Sequence, residues 1–328
     1  GHPLLLAPFT AAGAPRLLPV LLAGLNVWLT AVVLRRVVSP GWALLGAALL
    51  LVSPLFLFTG ATLLSHPTAY AAFALAVWGT LRLRESDGWG PGLAVGVGLG
   101  LLVATRPYTG VTLGGGLGLA ALYLVWRHRR VRALLPLALG LVGFAVFFLG
   151  YNRAVTGDPL VTGYQAVRAP GQVELGFGPI AQGVAPHTPA QGGRNAGYLA
   201  VRLLGWAFTG PLVLLAFLAP VGRRRPEFLV AALLVAGGLL SYILYWSIGV
   251  NDTGPVKTYE LLLPLGVLVV AGAARLADRH GRGPVVAGLL AAMLVGGSLF
   301  LPGRIRDLDR LVARIDLPLE VVAETVET

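Results

Sequence analysis

Residues 134–150 read "LLPLALGLVGFAVFFLG", a run without a single charge, and stretches of this kind recur along the chain. A helix crossing a bilayer needs about 20 apolar residues, since in lipid it satisfies every backbone polar group internally. Of 328 residues, 56% are hydrophobic and 12% charged, against about 25% charged in soluble domains. The mean hydropathy of +0.79 points the same way. An all-α polytopic membrane bundle is therefore expected. About ten spans are expected at roughly 16–34, 41–59, 67–83, 91–105, 109–126, 134–150, 199–219, 227–248, 259–276 and 284–301. Pro3 to Ala12 is too short to span and reads as a surface or re-entrant segment.

The net charge of +11 does not point to nucleic acid, because the 25 basic residues lie in small clusters between apolar runs. Arg35–Arg36, Arg82 and Arg84, Arg127–Arg132, Arg223–Arg225 and Arg275–Arg282 fall on alternate connections. That pattern marks the cytoplasmic side of a membrane protein. It holds only if Pro107 in "LLVATRPYTGVTL" divides one long apolar stretch into two helices, as the ring does by removing a donor and restricting its neighbour. Gly92, Gly96 and Gly100 lie four apart and would admit a second helix closely. The absence of Cys excludes disulfides, thiolate metal sites and Cys nucleophiles.

The opposite face then collects "TGATLLSHP", "TRPYTG", a polar loop over 151–197 and "IGVNDTGPVKTYE". The loop's "GFGP", "PHTP" and "GGRNAGY" supply tight turns, with Phe177, Tyr164 and Tyr198 as anchors. It reads as a lid over a cavity at the membrane face. The membrane domain is expected to cover 1–302. A tail at 303–328 follows, with Ile305, Leu308, Leu311, Val312 and Ile315 at amphipathic helical spacing.

Two cations on this outer face run against the usual charge bias. Arg106 sits beside Pro107 and Tyr108 near membrane depth, either snorkelling to headgroups or serving a site. Lys257 precedes "TYE", either an interfacial anchor or a phosphate contact. Acids on the outer loops number four before the tail: Asp158, Glu174, Asp252 and Glu260. A general base would come from among them, with Asp158 and Glu260 as candidates, although Asp158 before Pro159 also suits a turn. His66 reads as a helix cap. His187, in a segment too irregular for a core position, joins the catalytic candidates, and Asn195 joins the substrate-binding ones. No cofactor is implied and no metal motif is present; a divalent ion on single carboxylates stays open.

"GHPLLLAPF", "ATRPYTGVTL", "YNRAVTGDPLVTGY" and "GPVKTYELLLP", taken in order, resemble the GT-C superfamily of polytopic glycosyltransferases. The likeness is to its bacterial mannosyltransferase-like and rhizobial-lipopolysaccharide-transferase-like branch. The resemblance implies transfer of a sugar from a polyprenyl-phosphate donor to a lipid, glycan or protein acceptor, on the extracytoplasmic face of a bacterial inner membrane. It implies membrane lipids and the donor as partners. It places Arg106, Tyr108, Tyr151, Asn152, Thr156, Gly157, Asp158, Tyr164, Gly254, Pro255, Tyr259 and Glu260 on family motif positions. Val256 stands where the family has Arg, with Lys257 one place later. The family's acidic residue falls upstream of "GHPLLLAPF", so the chain is expected to lack its first helix and catalytic acid. A transporter or flippase of a polar or lipid-linked substrate, which would show mid-helix charges and repeats, and a non-catalytic scaffold are the alternative readings.

Overall fold

A computed structural model describes residues 2–166, 175–180, 185–222, 225–247, 254–303 and 305–306. Glu174, Asp252, Arg223, Arg224 and the tail beyond 306 lie outside them, as does the side chain of Tyr164. The described residues form an all-α polytopic bundle, with isolated bridges as their only β pairing.

In chain order the helices are α1 (His2–Ala11), α2 (Leu17–Leu34), α3 (Pro40–Leu50), α4 (Pro54–Gly60) and α5 (His66–Arg82). Next come α6 (Trp89–Thr105), α7 (Pro107–Thr109), α8 (Gly115–Arg127), α9 (Leu134–Thr156) and α10 (Gly163–Ala166). The last four are α11 (Pro189–Trp206), α12 (Pro226–Ser241), α13 (Leu262–His280) and α14 (Arg282–Val295). Pro107 does separate α6 from α7, and a π turn over Gly110–Gly114 carries the chain on into α8.

Among the described residues six helical segments are long and apolar enough to cross a membrane: Leu17–Leu34, Pro107–Arg127, Val131–Thr156, Pro226–Leu244, Val256–His280 and Arg282–Gly303. Two expected spans are bent pairs instead. The 41–59 stretch breaks by 59° between α3 and α4. There Ser53 Oγ accepts from Phe56 N and Pro54 opens the next helix. The 199–219 span is corrected more sharply. Helix α11 starts at Pro189 and ends at Trp206, and a 3-10 segment, Pro211–Leu218, leaves it at 106°. Phe208 and Gly210 both have positive φ at that corner, which a helix cannot carry. Counting each bent pair once gives up to eight spans, and α5 and α6 are shorter at 17 residues each.

The polar stretch of the middle is correspondingly shorter than 151–197. Helix α9 continues to Thr156, where Gly157 ends it at φ +82°. Thr188 caps α11 by accepting from Gln191 N at 3.2 Å.

Burial ranks the helices. Inside Val256–His280, 83% of the spanning window is enclosed by protein, against 22% for Val131–Thr156 and 12% for Arg282–Gly303. Helix α13 is thus the axis, while α9 and α14 present Val146 and Leu294 outward to lipid. Helices α6 and α9 meet along the glycine stripe. A Cβ at Gly96 would fall 2.2 Å from the Leu137 carbonyl oxygen, so only glycine permits this spacing. At one end of the bundle the Arg-bearing connections meet in ion pairs: Arg36–Glu85 at 2.8 Å, Arg82–Glu85 at 3.2 Å and Arg84–Glu227 at 3.0 Å.

Candidate functional site

The other end is organised by a short 3-10 turn, Val256–Leu261, seated on α13. In a 3-10 turn residues three apart share a face. Lys257 and Glu260 therefore point one way while Tyr259 points another. Tyr259 enters the core, stacked on Phe56 at 5.8 Å and edge-on to Tyr70 at 5.5 Å, with no exposed surface. Lys257 stays half-buried. Its Nζ donates to the Ser247 carbonyl at 2.5 Å and lies 3.6 Å from the centre of the Tyr245 ring.

Glu260 is fully buried and meets two residues from distant helix ends. Arg106, in the break between α6 and α7, brings its Nε to 3.2 Å from Glu260 Oε1. His66, at the start of α5, brings Nδ1 to 3.6 Å from the same oxygen. Arg106 Nη1 lies 2.6 Å from His66 Nε2. A guanidinium only donates, so Nε2 accepts and the imidazole is neutral, with its proton on Nδ1 facing the carboxylate. Thr109 Oγ1 accepts from Arg106 Nε at 3.2 Å. The carboxylate's closeness to Arg106 is ionic, since among the described residues neither of its oxygens accepts a hydrogen bond. Among the described residues the cluster thus brings together two basic side chains, Arg106 and Lys257, one carboxylate, Glu260, and the neutral His66.

His66 therefore does not cap α5 but turns its ring to Arg106 and Glu260. The sequence offered only "SHP", a capping signal; the partners come from chain segments far away. Tyr108, expected beside Arg106, packs its ring 5.1 Å from Tyr245 and donates its hydroxyl to the Ser241 carbonyl. Arg106, Tyr108, Lys257 and Glu260 are thus gathered at one end, with Tyr245 between Tyr108 and Lys257.

The remaining candidates hold the loop. His187 is a correction: it is buried, 1% exposed, stacked on Phe177, with Nε2 donating to the Ile243 carbonyl at 3.0 Å. Asn195 Nδ2 donates to the carbonyls of Tyr245 and Trp246 at 3.2 and 3.1 Å. Gly176 N donates to Leu244 O at 2.8 Å. His187 and Gly176 fasten the described part of the loop, and Asn195 the start of α11, to 243–246, the strip whose Tyr245 ring carries Lys257. Asn152 donates to Pro159 O at 3.1 Å, and the exposed Asp158 accepts from Leu160 N at 2.8 Å, closing the turn after α9. Among the described residues neither contacts the Arg106–Glu260 cluster. Nor do three His, Cys, Asp or Glu side chains converge there to hold a metal ion.

One known family of membrane proteins is similar to part of this chain. Residues 9–151 match the family described as dolichyl-phosphate-mannose-protein mannosyltransferase, of GT-C type. The match includes His66, Arg106 and Tyr108 and stops before the turn that carries Lys257 and Glu260. The matched stretch is under half of the chain, and over it the chain is similar to membrane mannosyltransferases of GT-C type. No curated protein and no solved structure matches the chain.

Proposed function

We propose that the chain is the membrane core of a glycosyltransferase that takes its sugar from a polyprenyl-phosphate carrier, with the Arg106–Lys257 end of the bundle facing away from the cytoplasm. The carrying observation is the gathering at that end of two basic side chains, Arg106 and Lys257, around the enclosed Glu260. Transfer forms a bond from an acceptor hydroxyl oxygen to the sugar's anomeric carbon and breaks that carbon's bond to the phosphate oxygen, so negative charge grows on the departing polyprenyl phosphate, and the acceptor's proton passes to that phosphate or to solvent. Preorganised cations placed where charge develops are the largest common source of catalysis. In this reading Arg106 and Lys257 receive that phosphate. Glu260, with no exposed surface, positions Arg106 rather than taking the acceptor's proton. His66 fixes the guanidinium's other edge. The loop fastened to 243–246 covers the donor, and the surrounding lipid holds the polyprenyl chain.

The test is binding of a short-chain polyprenyl phosphate to the purified protein in detergent, with the matching polyprenol as control. Charged contacts of this kind are worth about 1.5–3 kcal/mol, so Arg106→Ala and Lys257→Ala should each weaken phosphate binding roughly ten- to a hundredfold. Polyprenol binding should not change. A folded double variant that binds the phosphate like wild type overturns the proposal.

A further inference from the structure

The Arg-rich end of the bundle holds a feature that donor chemistry at the opposite end does not use. Between α5, α8, α12 and α13 runs a cleft of about 470 Å³, walled by Val77, Leu117, Ala120, Leu234 and Val267. Sites for small molecules typically occupy about 300–1,000 Å³. Arg84, Arg127, His128 and Glu227 stand at its polar end. Leu81, Arg84, His128 and Glu227 also line a second hollow of about 410 Å³, together with Arg36, Glu85 and Arg225. The two share these four residues, so they adjoin: an apolar cleft beside a polar basin.

The basin's charges are unequal. Glu227, whose side chain is 8% exposed, is held by Arg84 at 3.0 Å and Arg225 at 3.7 Å. Glu85 is held by Arg36 and Arg82. Each acid is thus shared by two arginines. Arg127 at the cleft mouth is exposed and makes no ion pair among the described residues. The polar end therefore carries excess positive charge above an apolar slot. On the α8 side Tyr123 is 56% exposed, so the slot is bordered by a lipid-facing wall.

We propose that this space binds one anionic phospholipid, an acyl chain in the cleft and the phosphate headgroup among Arg84, Arg127 and His128. Charge complementarity selects the occupant. A zwitterionic lipid brings a cation into a basin already in surplus, and an uncharged one leaves the arginines' surplus unanswered. The site lies at the end of the bundle opposite Arg106, and its occupancy braces α8 against α12.

Delipidated protein in detergent, titrated with phosphatidylglycerol and with phosphatidylcholine and followed by native mass spectrometry, tests the assignment. One phosphatidylglycerol should bind saturably per chain, ahead of phosphatidylcholine. Arg127→Glu, at an exposed position, should weaken phosphatidylglycerol roughly tenfold or more, as expected for a lost charged contact. Ala120→Trp, which fills the cleft and keeps every charge, should abolish the saturable site while polyprenyl phosphate binding stays as in wild type. Equal binding of both lipids, or phosphatidylglycerol binding unmoved by Arg127→Glu, overturns the proposal. So does tighter binding of polyprenyl phosphate than of phosphatidylglycerol that Ala120→Trp removes.

Discussion

Arg106 Nε stands 3.2 Å from Glu260 Oε1, an ion pair that ties the break before α7 to the turn before α13 inside the protein. Removing one partner of such a pair leaves an uncompensated charge and costs about 3–5 kcal/mol. Glu260→Gln keeps the shape and should destabilise the protein by about 3 kcal/mol, the low end of that range because Arg106 keeps 17% side-chain exposure. Pairing it with Arg106→Met should restore much of the melting temperature without restoring polyprenyl phosphate binding. If the double variant melts no higher than Glu260→Gln, the ion pair is not what the stability rests on.

The contact between α6 and α9 depends on missing side chains. Gly96→Ala places a Cβ 2.2 Å from the Leu137 carbonyl oxygen, backbone that cannot swing aside. The helices must part, at a cost of about 1–3 kcal/mol. Gly143→Ala, on α9 with open space around it, should be neutral. Thermal melts of the two variants separate close packing from helix propensity.

The loop after α9 is held at one point by His187. His187→Ala removes the donor to Ile243 O and should loosen the loop by about 1 kcal/mol while the bundle's melting temperature stays put. Limited proteolysis reads this directly: cleavage between 157 and 188 should speed up several-fold. An unchanged cleavage rate would mean that other contacts hold the loop.

Orientation is testable because the chain contains no Cys. Single Cys replacements at Arg129 and at Asp158 should behave oppositely toward a membrane-impermeant thiol reagent in intact cells, with only the Asp158 position labelled. The reverse pattern would place Arg106 and Lys257 on the cytoplasmic side.

His2 gives a pH dependence outside the spanning helices. Its Nε2 donates to Leu63 O at 2.9 Å and its Nδ1 accepts from Thr68 Oγ1 at 2.8 Å, so the neutral ring clips α1 onto the loop before α5 and onto the first turn of α5. Burial pushes its pKa below the ordinary histidine value. The unfolded chain therefore takes up the proton first as pH falls. The clip is intact above about pH 6.5 and weakens as pH drops below that value. Melting temperatures at pH 7.5 and 5.5 should differ more for wild type than for His2→Gln.

Much of this architecture was legible because lipid imposes a simple code. Uncharged runs became helices at nearly every expected place, and Pro107 broke the chain where its ring predicts. The 199–219 reading failed although "WAFTGP" contained its own correction: Gly210–Pro211 is a turn signal that hydropathy averaged away. The site was half legible. Arg106 and Lys257 stood out as cations on the wrong side of the charge bias. Their relation through Glu260 was hidden, because Arg106 and Glu260 lie on chain segments more than 150 residues apart and only the folded bundle brings them together. His66 carried no signal beyond its neighbours Ser65 and Pro67. Its partners lie on other helices, and no local pattern encodes them.

The enclosure of α13 bears on how the protein is made. This helix is translated after most of the chain's described helices, yet it is the one the bundle closes around. Until it arrives, Phe56 and Tyr70 lack the ring they stack on, and Arg106 stands in the membrane without its carboxylate. The earlier helices must therefore hold open a vacant slot during synthesis. A ribosome stalled before residue 256 would leave a half-assembled bundle exposing an unpaired charge, a ready mark for membrane quality control.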